Sequence, residues 1–257
     1  MDDKGFSSVL ESSRVLNRGV KFNALLAWSS IDDCASINAN LFKPLRFNNG
    51  AVHEGDVTET DRERIRWATA ISNVTFPPII GVLTFGLINN AVSSGFYFVV
   101  LTLLTTLVAA VAPLIILIAW GRVRAHNPDT AARAGRGYWL LVSTASYFVG
   151  TAVLLLTRAP PLIAAVMFGY GAVTLVISLI NLRWKISIHT MSVTVPTTVL
   201  VFVFGPWGLL CGLLLPPVIW SRVYLKKHTI AQAIAGALVG FVFMAPILFL
   251  LLPFGSL

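Results

Sequence analysis

From Ala68 to Trp120 the chain contains no Asp, Glu, Lys or Arg. About 20 apolar residues are enough to cross the hydrocarbon core of a bilayer as a helix, so this run accommodates two crossings. We expect spans at roughly 68–91 and 96–120, joined by a polar turn at 89–95, with Pro77-Pro78 kinking the first span or marking its end. The run therefore predicts helices that lie inside a membrane.

The remainder of the chain continues this pattern, with 56% hydrophobic residues and a mean hydropathy of +0.79 overall. Gly205-Pro206 divides one long uncharged stretch into two predicted spans, because Pro ends one helix and can begin another. Gly236 and Gly240 form a small-residue face on which another helix can approach closely. The further expected spans are 138–157, 160–182, 189–204, 206–220 and 229–252. The sequence predicts an all-α polytopic membrane bundle of seven helices, a six-helix core with one extra N-terminal helix.

Residues 1–66 differ from the rest, since they hold ten of the eleven acids and nine of the nineteen bases. We interpret them as a poorly ordered or peripheral extension, and residues 67–257 as the transmembrane domain. No secretory signal peptide is visible, and the acids argue against an organellar targeting peptide. Cys34 and Cys211 lie in segments of different character, which argues against a disulfide framework.

After Trp67 the chain has one acid, Asp129, and ten bases. If most of these cations converge on one side, they make a surface suited to an anion, with phosphate the leading candidate. Alternation of the spans places the loops 121–137, 183–189 and 221–228 on the side of the N-terminus. The positive-inside bias makes that side cytoplasmic.

Two short stretches in the C-terminal half gather hydroxyl, imidazole and cationic groups. Lys185, Ser187 and His189 precede or begin a span, where helix N-terminal amides favour anions, although interfacial capping and snorkelling explain such residues equally well. His228 and Gln232 are four residues apart, so on a helix they would share one face. Gln232 would then accept a hydrogen bond that orients the His228 ring; the alternative is a polar helix start at the interface.

These residues resemble the motifs of the membrane type 2 phosphatidic acid phosphatases, also called lipid phosphate phosphatases. That family carries Pro-Ser-Gly-His at one helix start, and then Ser-Arg, five residues, His, three residues, Asp. Here Ser187-Ile188-His189 is similar to the first motif, with Ile replacing Gly. The second is matched by Ser221-Arg222, His228 and Gln232 at the same spacing, with Gln replacing Asp. The resemblance covers roughly residues 68–252.

The resemblance implies a hydrolase that needs no metal or other cofactor and forms a phosphohistidine intermediate. His228 would be the nucleophile and His189 the acid for the leaving oxygen, while Arg222 and Ser187 would hold the phosphoryl oxygens. The family's further motif, Lys, six residues, Arg-Pro, is absent. Its cations would be replaced by Arg183 and Lys185, or by Arg133 and Arg136. The uncharged Gln232 would stabilise an imidazolium less than a carboxylate does.

These residues bear on three functional classes. The leading one is hydrolysis of a lipid phosphate or polyprenyl diphosphate; the implied partners are this substrate and membrane lipids, not nucleic acid. Transfer reactions on CDP-alcohols or prenyl diphosphates need clustered aspartates for Mg²⁺, which one Asp cannot supply. The alternative is a non-catalytic transporter or lipid-phosphate-binding protein on the same fold.

Overall fold

The computed structural model describes residues 59–116 and 128–252, with side chains from 63 and from 137 onward, all within one compact unit. Every regular element in this part of the chain is helical. The nine α-helices are α1 Glu59–Val74, α2 Pro77–Val92, α3 Gly95–Thr106, α4 Pro128–Leu156, α5 Pro161–Asn181, α6 Ile188–Phe204, α7 Leu209–Gly212, α8 Leu215–Tyr224 and α9 Ile230–Leu251. A π-helical turn, Leu107–Val111, extends α3, and a 3₁₀ turn, Gly205–Gly208, follows α6.

Five helical stretches within the described residues are long and apolar enough to cross a membrane. By length and composition they are Gly95–Ile116, Gly137–Leu156, Pro161–Asn181, Ile188–Gly212 and Ile230–Leu251. The fourth of these stretches turns back on itself at Gly205. A sixth is formed if the bent pair Glu63–Val74 and Pro77–Val92, which meet at 46°, crosses as one span. The predicted all-α polytopic membrane bundle is confirmed, and so is the bend at Pro77-Pro78.

The count of seven long spans was wrong at residues 206–220, which form no single long helix. The chain reverses at Gly205, whose φ of 63° favours glycine. A Cβ at Gly208 would overlap the backbone of Leu200, and one at Gly212 would lie 3.2 Å from Thr197, so the chain runs back along α6. The return is divided into a 3₁₀ turn and the short helices α7 and α8, because glycines and prolines interrupt it.

The predicted loop 121–137 was also wrong in its second half. Residues 121–127 lie outside the described part, but α4 begins at Pro128 and includes Arg133 and Arg136. Pro is tolerated in a first helical turn, and Ala and Arg are strong helix formers. Charge had indicated exposure to water, and a helix extending beyond the bilayer satisfies that requirement as well as a loop does.

Helices α6 and α9 run parallel and in close contact, with both starts at the same end. The α9 glycines make this possible: a Cβ at Gly236 would overlap the carbonyl oxygen of Ser187, and one at Gly240 would lie 3.2 Å from Thr194. The expected small-residue face is therefore confirmed, and its partner is α6. Because helix dipoles have their positive ends at the N-terminus, two positive ends lie side by side.

Candidate active site

The start of α6 is buried and carries the first predicted motif. Ser187 is the N-cap, and its hydroxyl oxygen accepts from the Thr190 N–H at 3.4 Å. Its backbone N–H donates to the carbonyl of Gln232 at 3.2 Å, so the second helix satisfies a group of the first. His189 lies in the first turn and is 7% exposed. Ser187 and His189 thus lie at the N-terminus of α6, beside the first turn of α9.

His228 is held in a turn between two capping motifs. At the end of α8, the N–H of Lys227 donates to the Arg222 carbonyl (3.0 Å), and that of Lys226 donates to the Val223 carbonyl (3.0 Å). With Lys226 in the left-handed region at φ 55°, this is a Schellman motif, formed here without glycine. The His228 N–H also donates to the Arg222 carbonyl at 3.2 Å, and its side chain is buried.

The expected shared helical face of His228 and Gln232 was wrong, because α9 begins only at Ile230. Thr229 is the N-cap: its hydroxyl accepts from the Gln232 N–H at 3.3 Å, and the Gln232 Oε1 accepts from the Thr229 N–H at 3.1 Å. This reciprocal arrangement is a capping box. The sequence signal was present, because Thr-x-x-Gln before an apolar run is the signature of that motif.

Arg222 is one of the largest buried side chains of the described residues, with 1% exposure. Its Nη1 donates to the hydroxyl of Ser72 in α1 at 2.8 Å, and the neighbouring Ser221 hydroxyl donates to the Ala68 carbonyl at 2.6 Å. Sequence reasoning missed both α1 partners. The available signal was the spacing of the small residues Ala68, Ser72 and Thr75, which places them on one face of a helix.

The remaining predicted cations lie around the same end of the bundle. Lys185 is half-buried two residues before Ser187, and Arg183 is exposed at the end of α5. Helix α4 packs antiparallel to α5, since Gly150 faces Met167 and Gly171 faces Tyr147 and Phe148. Extending that register brings the backbone of Arg133 and Arg136 level with the end of α5. Their side chains lie outside the described part of the chain.

Backbone hydrogen bonds join Ser187 to Gln232 and His228 to Arg222, and His228 lies four residues before Gln232. These residues therefore lie at one end of the bundle, with His189 in the first turn of α6. A buried guanidinium is costly unless it is paired and hydrogen-bonded, and guanidinium matches phosphate geometry in particular. Two helix N-termini add positive potential at the same place. The arrangement is chemically suited to a phosphate-sized anion, and imidazole is a side chain that can do nucleophilic or acid–base work.

Comparison of the chain with known protein families, curated proteins and solved structures finds no match. The phosphatase resemblance therefore depends on the motif residues alone. What this chain does has to be argued from the chemistry of its own site.

Proposed function

We propose that this chain hydrolyses a lipid phosphate or diphosphate monoester at the α6–α9 site, without a metal and through a phosphohistidine. The observation that carries the proposal is the fully buried Arg222, whose carbonyl also holds the His228 turn. A cation fixed beside a histidine gives the phosphoryl group a binding position within reach of a nucleophile. Metal independence follows from the single acid after Trp67.

In the proposed reaction a ring nitrogen of His228 attacks phosphorus, and the bond between phosphorus and the leaving oxygen breaks. Protonated His189 donates its proton to that oxygen, so the lipid leaves as an alcohol, or as a monophosphate from a diphosphate substrate. Neutral His189 then takes a proton from water, whose oxygen attacks phosphorus. The P–N bond breaks, inorganic phosphate leaves, and both histidines return to their starting states. Arg222 and Ser187 stabilise the equatorial oxygens, whose charge dominates phosphoryl transfer.

An apolar groove supports a lipid substrate. It lies along α8 and the start of α9, has a volume of about 510 Å³, and is lined by Leu215, Pro216, Ile219, Trp220, Val223, Tyr224 and Ile230. This volume is within the usual range for ligand sites. Val223 directly follows Arg222, and Ile230 lies two residues after His228, so a headgroup at the site would have its tail in this groove. We place the site on the cytoplasmic side, following the excess of basic residues at this end.

One observation favours a second candidate, a non-catalytic lipid-phosphate-binding or transport protein. The Gln232 Oε1 accepts from the Thr229 N–H, and Gln has no charge to stabilise an imidazolium. A site that retains Arg222 and Ser187 with a weakened nucleophile would bind phosphate without turnover.

The test is phosphate release by the purified chain in nanodiscs, from phosphatidic acid and from a polyprenyl diphosphate. We expect release in excess EDTA and inhibition by vanadate, which mimics the phosphoryl transition state. His228→Ala, purified in parallel, controls for contaminating phosphatase. An absolute requirement for Mg²⁺ would contradict the mechanism. Vanadate binding without release from any substrate would favour the binding protein.

A further inference from the structure

Helix α1 meets the candidate site through a narrow stripe of small residues. Ala68 is 0% exposed, and Ser72 and Thr75, the latter one residue past the helix end, are each 2% exposed, whereas residues 63–67, 69 and 70 are exposed. Positions separated by four and then three residues lie on one helical face, so the stripe is the docking face of α1 on α8. Small side chains there allow the two backbones to approach closely.

The stripe makes two hydrogen bonds to consecutive residues of the second motif. The Ser221 hydroxyl donates to the Ala68 carbonyl at 2.6 Å, and the Arg222 Nη1 donates to the Ser72 hydroxyl at 2.8 Å. Both bonds are buried and join parts of the chain about 150 residues apart. The first bond attaches the backbone of α1 to α8, and the second reaches the guanidinium itself.

We propose that Ser72 is a positioning residue that fixes the Arg222 guanidinium for phosphate binding; this inference rests on the proposed function. An arginine side chain has five N–H donors on a long flexible stem. The bond to Ser72 selects one orientation of the guanidinium plane, so a ligand would meet the guanidinium in a fixed geometry. Pre-organised donors stabilise phosphoryl transfer because no rotation is needed when charge develops.

Thr75, on the same docking face, provides a control variant. The Thr75 hydroxyl is also buried, but it donates to the Ile71 carbonyl at 2.6 Å. Thr75→Ala therefore removes a buried hydroxyl from the same stripe without removing the bond to Arg222. Ser72→Thr keeps the hydroxyl, and Ser72→Ala removes it.

The experiment measures kcat/KM for phosphatidic acid, the Kd of vanadate and the thermal midpoint for these variants in nanodiscs. We expect Ser72→Ala to lower kcat/KM and weaken vanadate binding by about ten- to one-hundredfold, as for the loss of a hydrogen bond to a charged group. Thr75→Ala should match it in thermal midpoint but keep wild-type vanadate affinity, and Ser72→Thr should restore most of the activity. In an Arg222→Lys background, Ser72→Ala should lower kcat/KM and vanadate affinity by less than about twofold, because the two residues act through one bond.

Equal effects of Ser72→Ala and Thr75→Ala on vanadate binding would overturn the positioning role and leave the phosphatase proposal intact. So would additivity of Ser72→Ala and Arg222→Lys. If Ser72→Ala does not fold, Ser72→Cys and its double variant with Arg222→Lys carry the same test, because a thiol accepts hydrogen bonds much more weakly than a hydroxyl does. A wild-type chain that neither releases phosphate nor binds vanadate would refute the proposed function itself, and this inference with it.

Discussion

The parallel helices α6 and α9 begin in different ways. Helix α9 caps itself, because Thr229 and Gln232 exchange hydrogen bonds at an exposed start. The buried α6 start has a cap in one direction only: the Thr190 hydroxyl donates to the Ser187 carbonyl and does not reach back to the N-cap N–H. That N–H instead donates to the backbone carbonyl of Gln232. One helix start is locally complete, and the other depends on its neighbour.

The capping hydrogen bonds at the two helix starts therefore serve different purposes. At α9 the capping residues Thr229 and Gln232 fix the backbone next to His228. They would therefore contribute to a reaction only through the position of His228. At α6 the backbone of Ser187 lies against Gln232 and Gly236, while its buried hydroxyl accepts a long bond from the Thr190 N–H. The hydroxyl proton could then be donated to a phosphate oxygen. Gln232 serves both starts, with its side chain in one and its backbone in the other.

The largest expected effect comes from substituting His228, which directly precedes the N-cap of α9. His228→Ala should lower kcat by about four orders of magnitude or more, as for the loss of one member of a catalytic unit. The thermal midpoint and the affinity for the lipid phosphate should stay near wild type, because the caps, Arg222 and Ser187 remain. The measurement is steady-state phosphate release alongside lipid-phosphate binding. Unchanged release from a preparation free of other phosphatases would mean that the α9 start holds no nucleophile.

The next prediction concerns the α6 start, whose N-cap N–H donates to a carbonyl of α9. A Cβ in Gly236→Ala would overlap the Ser187 carbonyl oxygen and the Thr190 hydroxyl, forcing α6 and α9 apart. Overpacking of this kind costs about 1–3 kcal/mol, and activity should fall with it. Gly86→Ala in α2 is the matched control, since nothing lies within 4 Å of its Cβ, and it should be neutral or stabilising. Equal thermal midpoints for the two variants would contradict the close contact.

The fold could be predicted wherever a single physical requirement dominated. Freedom from charge predicted the membrane helices, Pro77-Pro78 predicted the bend, and Gly205-Pro206 predicted the reversal. Apolarity could not distinguish one long helix at 206–220 from several short pieces. Charge could not distinguish a loop from a polar helix at Arg133 and Arg136, since a charged sequence is compatible with either backbone conformation.

For the candidate site residues, local spacing predicted some backbone positions and few of the contacts. Ser187 as a helix N-cap and the glycine face of α9 followed from local spacing. The bond between Ser72 and Arg222 is tertiary: the spacing of Ala68, Ser72 and Thr75 indicates a face of α1 but not the residue that this face contacts. At Gln232 two local sequence patterns compete. Its spacing from His228 indicated a shared helical face, whereas its spacing from Thr229 fits a capping box. The capping box forms, and the helix therefore begins after His228.

A paired substitution compares the two N-caps directly. Ser187→Ala and Thr229→Ala should each cost about 1 kcal/mol of stability through loss of a cap. Only Ser187→Ala should also weaken vanadate binding, by about tenfold, because a hydrogen bond from the Ser187 hydroxyl to the vanadate anion is lost. Thermal midpoints and vanadate titrations of both variants decide this. If Thr229→Ala weakened binding equally, the α9 start would be part of the binding surface and the distinction between the starts would fail.

The smallest expected effect concerns Gln232, whose side chain and backbone serve different helices. Gln232→Leu should destabilise the protein by about 0.5–1 kcal/mol through loss of half the capping box, yet leave the α6 start unchanged because the backbone carbonyl is retained. Gln232→Glu should keep wild-type stability, since Glu is equally suited to this position. Gln232→Asp should preserve or raise turnover, because a carboxylate near the His228 turn stabilises an imidazolium better than an amide does. Thermal unfolding and kcat measured on the three variants separate the two roles. A Gln232→Leu protein as stable as wild type would show that the capping box adds nothing, whereas a fall in kcat with Asp would assign Gln232 to the cap alone.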